Sequence, residues 1–228
     1  MSKPRVGLVL PSVQVVTEPH FARTEPGVDF LASRVALRGT GIADLRAMEA
    51  EVPRAVDDLA AARVDLLVSC CTASGAILGR AADERACAAA TARTGIPMTS
   101  TMLAIVDELR SLGARRLTVV TPYPPALDEI EHDYLRNNGF SVLAAAGQGI
   151  PDGFAISRIS PAEIVRLAYR NWDPASDALL LSCMNWRAHE AVAELSALLG
   201  APVVTSHGAT LRAVRLRTAR DGRRSPSD

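Results

Sequence analysis

The chain repeats itself, and this limits what it can fold into more than any other feature. "VGLVLPS", Val6 to Ser12, resembles "LTVVTPY", Leu117 to Tyr123, with Pro11 matching Pro122 at the end of an apolar run. "DLLVSCCT", from Asp65, resembles "DALLLSCMN", from Asp177, and in both a cysteine, Cys71 or Cys183, follows the aspartate by six residues. "GIPMTST" from Gly95 and "GAPVVTS" from Gly200 make a third pair. Self-similarity on this scale predicts one supersecondary unit used twice.

Each copy alternates short apolar runs with helical stretches. Strands are expected at 6–10, 65–69, 117–121, 141–145 and 178–182, with helices near 43–62, 76–93, 125–137, 161–171 and 188–199. Such alternation predicts parallel sheets flanked by helices, an α/β fold of two pseudo-symmetric Rossmann-like lobes with a site in the cleft between them. Residues 1–100 form the expected N-terminal lobe, completed by a C-terminal helix at 208–221. Residues 101–207 form the other lobe, and the polar 222–228 is expected to fray. Gly113 and Gly139 mark helix ends, and Ser160 before Pro161 marks a helix start.

Equivalent positions give the cysteines their meaning. Cys71 and Cys183 each fall at the C-terminal end of a parallel strand, where open α/β sheets bind ligands. Strand alternation turns Cys70, the neighbour of Cys71, to the opposite face. Cys87 sits within a helical stretch as a small buried residue. A thiol followed by small residues and a helix start lies near unpaired N–H groups, which favour a thiolate and also hold carboxylates. Two facing thiols suit racemisation, addition-elimination isomerisation, or decarboxylation with stereospecific protonation. Expected substrate-binding partners are Ser12, Gln14, Thr72, Ser74, Gly75, Tyr123 and Asn185, all near strand ends. His207 either lines the cleft or is a hydrogen-bonded, partly buried histidine. Asp65 and Asp177 are expected as turn residues ahead of strands rather than as acids.

Charge and ligand spacing exclude other classes. Lys plus Arg equals Asp plus Glu at 25 each, so no net field recruits nucleic acid or an anionic membrane, and no apolar run is long enough to span a bilayer. The four histidines and four cysteines lack metal-site spacing, and "GQG" at Gly147 is no dinucleotide fingerprint. The expectation is a cytoplasmic protein with free thiols, no metal and no cofactor, acting on a small ligand.

The segments "PSVQVVTEPHF", "CTASG", "TGIPMTSTMLAIVDELRSLGARRLTVVTPYP", "GIPDGFAISRISPAEI", "LLLSCMNWRAHEAVAELSALLGAPVVTS" and "ATLRAV" together resemble the maleate cis-trans isomerase and arylmalonate decarboxylase branch of the Asp/Glu racemase superfamily. The resemblance covers nearly the whole chain. It implies two Rossmann-like lobes, no cofactor, a small carboxylate substrate and a homodimer. It also implies that Cys71 adds to a maleate-like double bond and that Cys183 handles the proton, with Tyr123 orienting the substrate. Decarboxylases of this branch carry glycine where this chain has Cys71, so both thiols together favour isomerase or racemase chemistry. Two positions depart from the isomerase pattern: Gln14 and Gly153 stand where asparagine is common. An isomerase is expected, with a two-cysteine racemase, an arylmalonate-decarboxylase-like enzyme and a non-catalytic carboxylate binder as alternatives.

Overall fold

The computed structural model describes residues 3–221. Two four-stranded sheets, every pairing parallel, account for the repeat. The first contains β1 (Arg5–Pro11), β2 (Asp29–Val35), β3 (Leu66–Ser69) and β4 (Met98–Ser100) in the order β2-β1-β3-β4. The second contains β5 (Arg116–Thr121), β6 (Ser141–Gly147), β7 (Ala178–Leu181) and β8 (Val203–Thr205) in the order β6-β5-β7-β8. Adding four to each strand number converts one order into the other, so the sequence repeat is a repeat of topology.

The inner strands are covered on both faces, which is why they read as unbroken apolar runs: β7 is buried throughout, and β1 and β5 everywhere but their first residue. Edge strand β2 mixes exposed and part-covered residues and β6 alternates them, so neither gives the same signal. Asp65 and Asp177 behave as the repeat requires. Asp65 accepts from Arg5 N at 2.7 Å, and Asp177 from Arg115 N at 3.0 Å and Arg116 N at 2.8 Å. Each carboxylate thereby fixes the start of the central strand in its own sheet.

Several helices differ from the sequence expectation. The single helix expected at 43–62 is two, α2 (Ile42–Glu49) and α3 (Val52–Ala61), because Pro53 occupies the first turn of a new helix. The stretch at 76–93 starts earlier, as α4 (Thr72–Leu78), then breaks at Gly79 with φ +74° before α5 (Arg80–Thr94). The segment at 188–199 opens as a 3₁₀ turn, Arg187–Glu190, before α9 (Val192–Leu199). Helices α7 (Pro125–Asn137) and α8 (Pro161–Asn171) agree with the sequence, and α8 carries a full capping box between Ser160 and Glu163. Helices α1 (Thr17–Thr24) and α6 (Thr101–Ser111) complete the flanks. Helix α10 (Ser206–Asp221) serves both sheets. Its Leu211 and Val214 pack with Val6, Leu8 and Val68, while Ala209 and Ala213 pack with Leu117 and Leu180. The fraying expected at 222–228 lies outside the described residues.

Candidate active site

Both paired cysteines open onto one cavity. Cys71 lies just beyond β3 with extended backbone and forms the N-terminal boundary of α4, and Cys183 lies just beyond β7. They share the wall with Gln14, Thr72, Tyr123 and Asn185. Cys70 turns away as alternation requires, fully buried among Val6, Leu8 and Met184 with its sulfur 3.7 Å from Val68 O. Cys87 is buried within α5.

Ser12, Ser74 and Gly75 lie outside the cavity wall. Ser12 is exposed and accepts from Leu37 N at 3.0 Å, pinning the loop after β2. Ser74 donates its hydroxyl to Glu49, tying α4 to α2. Gly75 allows close packing, since a Cβ there would stand 2.9 Å from Met102 Cβ and Cγ on α6. His207 does not reach the cavity either. It is fully buried in α10, with Nε2 3.3 Å from Thr17 Oγ1, and its ring meets those of His20 and His189 edge-on at 5.1 and 5.0 Å. His20 and His189 stack at 3.6 Å. Thr17 links His207 to the loop after β7, since its hydroxyl also donates to Met184 O. Among the described residues no cluster of His, Cys, Asp or Glu has metal-binding geometry.

The two wall amides hold the loops. Asn185 accepts from Val15 N at 2.8 Å and donates to Val13 O at 3.2 Å and Gly153 O at 2.7 Å, joining the loop after β1, the loop before α8 and its own. Gln14 Nε2 donates to Cys70 O at 3.0 Å. Thr17 Oγ1 donates to Met184 O at 2.9 Å, and Thr40 Oγ1 donates to Pro151 O at 2.6 Å across the rim. What remains of the wall is largely apolar: Val13, Leu37, Leu45, Leu127 and Ile156. The sequence reading passed over these residues. Leu37 follows the edge strand β2, and the others carry no chemistry of their own to single them out.

Among the described residues no Arg, Lys or His lines the cavity. Burial therefore dominates the thiols: it pushes Cys71 up to about 12, with Glu49 and Cys183 adding repulsion and the Ser74 and Ala73 N–H groups opposing. Cys183 is pushed up to about 11, again by burial first, offset by the Tyr123 hydroxyl and by the N–H groups of Asn185, 3.4 Å away, and Trp186. Burial also raises Tyr123 well above the usual phenol range, so its hydroxyl keeps its proton beside the Cys183 sulfur. At neutral pH both sulfurs rest as thiols. The cavity encloses about 50 Å³ as it stands, room for a few waters.

A sequence profile of the arylmalonate decarboxylase family matches residues 6–227. A maleate isomerase from Pseudomonas putida is 28% identical over 92% of this chain and 90% of its own. An arylmalonate decarboxylase from Bordetella bronchiseptica is 30% identical over 90% of this chain and 86% of its own. Among solved structures, a maleate cis-trans isomerase variant from Nocardia farcinica with a covalently bound succinylcysteine intermediate superposes with a TM-score of 0.89 at 26% identity, covering 95% of this chain and 93% of that one. A maleate isomerase variant from Pseudomonas putida bound to maleate gives 0.88 at 25% identity, over 96% and 92%. With its repeated parallel sheets and a cysteine from each on one cavity, the chain belongs to the arylmalonate decarboxylase family, within the branch that also holds the maleate isomerases.

Proposed function

We propose that the protein is a cis-trans isomerase of a small unsaturated acid of the maleate type, with Cys71 as nucleophile and Cys183 as acid/base. The observation that carries this reading is the pair of strand-end thiols, one per sheet, on one cavity wall. Cys71, as thiolate, bonds to one alkene carbon while the π electrons move toward the carboxylate on the other, giving an enediolate. The former double bond is now single and rotates. Collapse of the enediolate expels the thiolate and leaves the trans acid. Cys183, beside the Tyr123 hydroxyl, lends its proton to the carbanionic carbon and takes it back before the thiolate leaves, and the N–H groups around the sulfurs stabilise the oxyanion.

Proton NMR of maleate converting to fumarate tests the reading. Cys71→Ser and Cys183→Ser should each abolish turnover while the circular dichroism spectrum persists, and Cys183→Ser should accumulate a Cys71 adduct visible by mass spectrometry. A fully active Cys71→Ser enzyme refutes the assignment. The same thiol pair would serve a two-base racemase, which α-proton exchange of chiral acids in D₂O would reveal. Homodimeric assembly and a cytoplasmic location accompany this reading, and light scattering checks the first.

A further inference from the structure

Three observations bear on what the far end of the substrate can be. First, among the described residues no cationic side chain lines the cavity, so a second carboxylate would meet no counter-charge from them. Second, both hydrogens of Asn185 Nδ2 are already committed to Val13 O and Gly153 O. Gly153 supplies no side chain, and a Cβ there would come within 3.0 Å of Val13 Cγ2, leaving no room for an amide at that position unless Val13 shifts. Third, Gln14 is 4% exposed, and its carbonyl oxygen Oε1 has no partner among the described residues. Because Cys70 O can only accept, the bond from Nε2 fixes which end of the Gln14 amide is nitrogen.

Gln14 therefore keeps, at the cavity wall, one N–H beyond its bond to Cys70 O and one partnerless, covered carbonyl oxygen. A carboxylate brings acceptors only: it can take the N–H but leaves Oε1 unpaired in a largely apolar wall and faces it with like partial charge. A carboxamide brings a donor and an acceptor, the complement of what Gln14 offers, and carries no charge to desolvate against Leu37, Leu45 and Ile156.

We infer that the site takes an unsaturated acid with a single carboxylate, whose other end is a neutral carboxamide paired with Gln14: the half-amide of a cis-unsaturated diacid. The inference rests on the isomerase reading for where the ligand lies. The reaction is unchanged, since sulfur addition and expulsion need only the one carboxylate to carry the enediolate.

The experiment measures binding and turnover separately. Calorimetry compares succinamate with succinate, saturated analogues that cannot react, and NMR compares maleamate with maleate. Succinamate should bind at least about tenfold more tightly than succinate, and the ratio should fall toward one in Gln14→Met. Equal or tighter binding of succinate, no binding of succinamate, or a ratio that survives in folded Gln14→Met overturns the inference. Should Gln14→Met fail to fold, the wild-type ratio decides. A binding preference for the half-amide with no isomerisation of either acid refutes the isomerase reading and leaves this inference standing. Maleate turnover combined with tighter succinate binding does the reverse.

Discussion

Asn185 donates to Gly153 O at 2.7 Å across 32 residues, and through this bond the loop carrying Cys183 holds the segment that closes the far side of the cavity. The same side chain reaches Val13 and Val15, so a single amide joins three loops from both sheets. Asn185→Asp keeps the acceptor for Val15 N but faces two carbonyl oxygens with a carboxylate. It should lower stability by about 1–3 kcal/mol and reduce kcat/KM at least about tenfold, since the rim no longer positions substrate against the sulfurs. Denaturant unfolding alongside kinetics checks both effects.

The pH-rate profile should follow the thiolate. With Cys71 pushed up to about 12 and Cys183 up to about 11, the reactive fraction at neutral pH is small and grows with each unit of alkalinity. The rate in free enzyme should climb from pH 6 through pH 9 without levelling. Iodoacetamide should label Cys71 with the same dependence, and a plateau below pH 8 would contradict a resting thiol.

Two buried groups bend the stability curve in opposite directions. Glu131 is fully buried, and burial, helped by Asp128 and opposed by the nearby Ser182 hydroxyl, raises its carboxyl to about 8 from 4.5. Between those values the unfolded chain has lost the proton that the folded chain keeps, so stability falls as pH rises. Glu131→Gln should therefore gain in melting temperature relative to wild type between pH 5 and pH 8.

On the acid side, the stacked histidines act. Burial lowers His20 to about 4, with His189 and Arg23 adding repulsion, and it also lowers His189 and His207. Below the ordinary value of about 6.5 the unfolded chain gains protons that the folded trio refuses, so stability drops with pH. His189→Gln should make the acid limb shallower, as thermal unfolding across pH 4 to pH 7 would show.

Gly75→Ala tests whether this glycine serves packing. Its Cβ would stand 2.9 Å from Met102 Cβ and Cγ, atoms near the α6 backbone that cannot swing aside, so a loss of about 1–3 kcal/mol is expected. Adding Met102→Ala removes the Cγ contact but keeps the Cβ one, so a double-mutant cycle should show only partial recovery.

The repeated segments alone determined that there are two like parallel sheets, that Cys71 and Cys183 are equivalents, and that Cys70 points away; strands β2, β4 and β8 and the strand order came only with the tertiary structure. The first three follow from chain order, because an apolar run buried on both faces and the two-residue period of a strand are local properties. Sequence could not reveal how Gln14 and Asn185 are used. Their partners lie 56 and as many as 172 residues away, and the amide of each holds a loop in addition to facing the cavity. Nor could it distinguish Ser12, Ser74 and Gly75, which hold loops and helices together, from residues on the wall. The apolar side of the cavity was equally hidden. Leu37, Leu45, Leu127 and Ile156 come from four separate segments, and only the closing of the two sheets around one cleft brings them together.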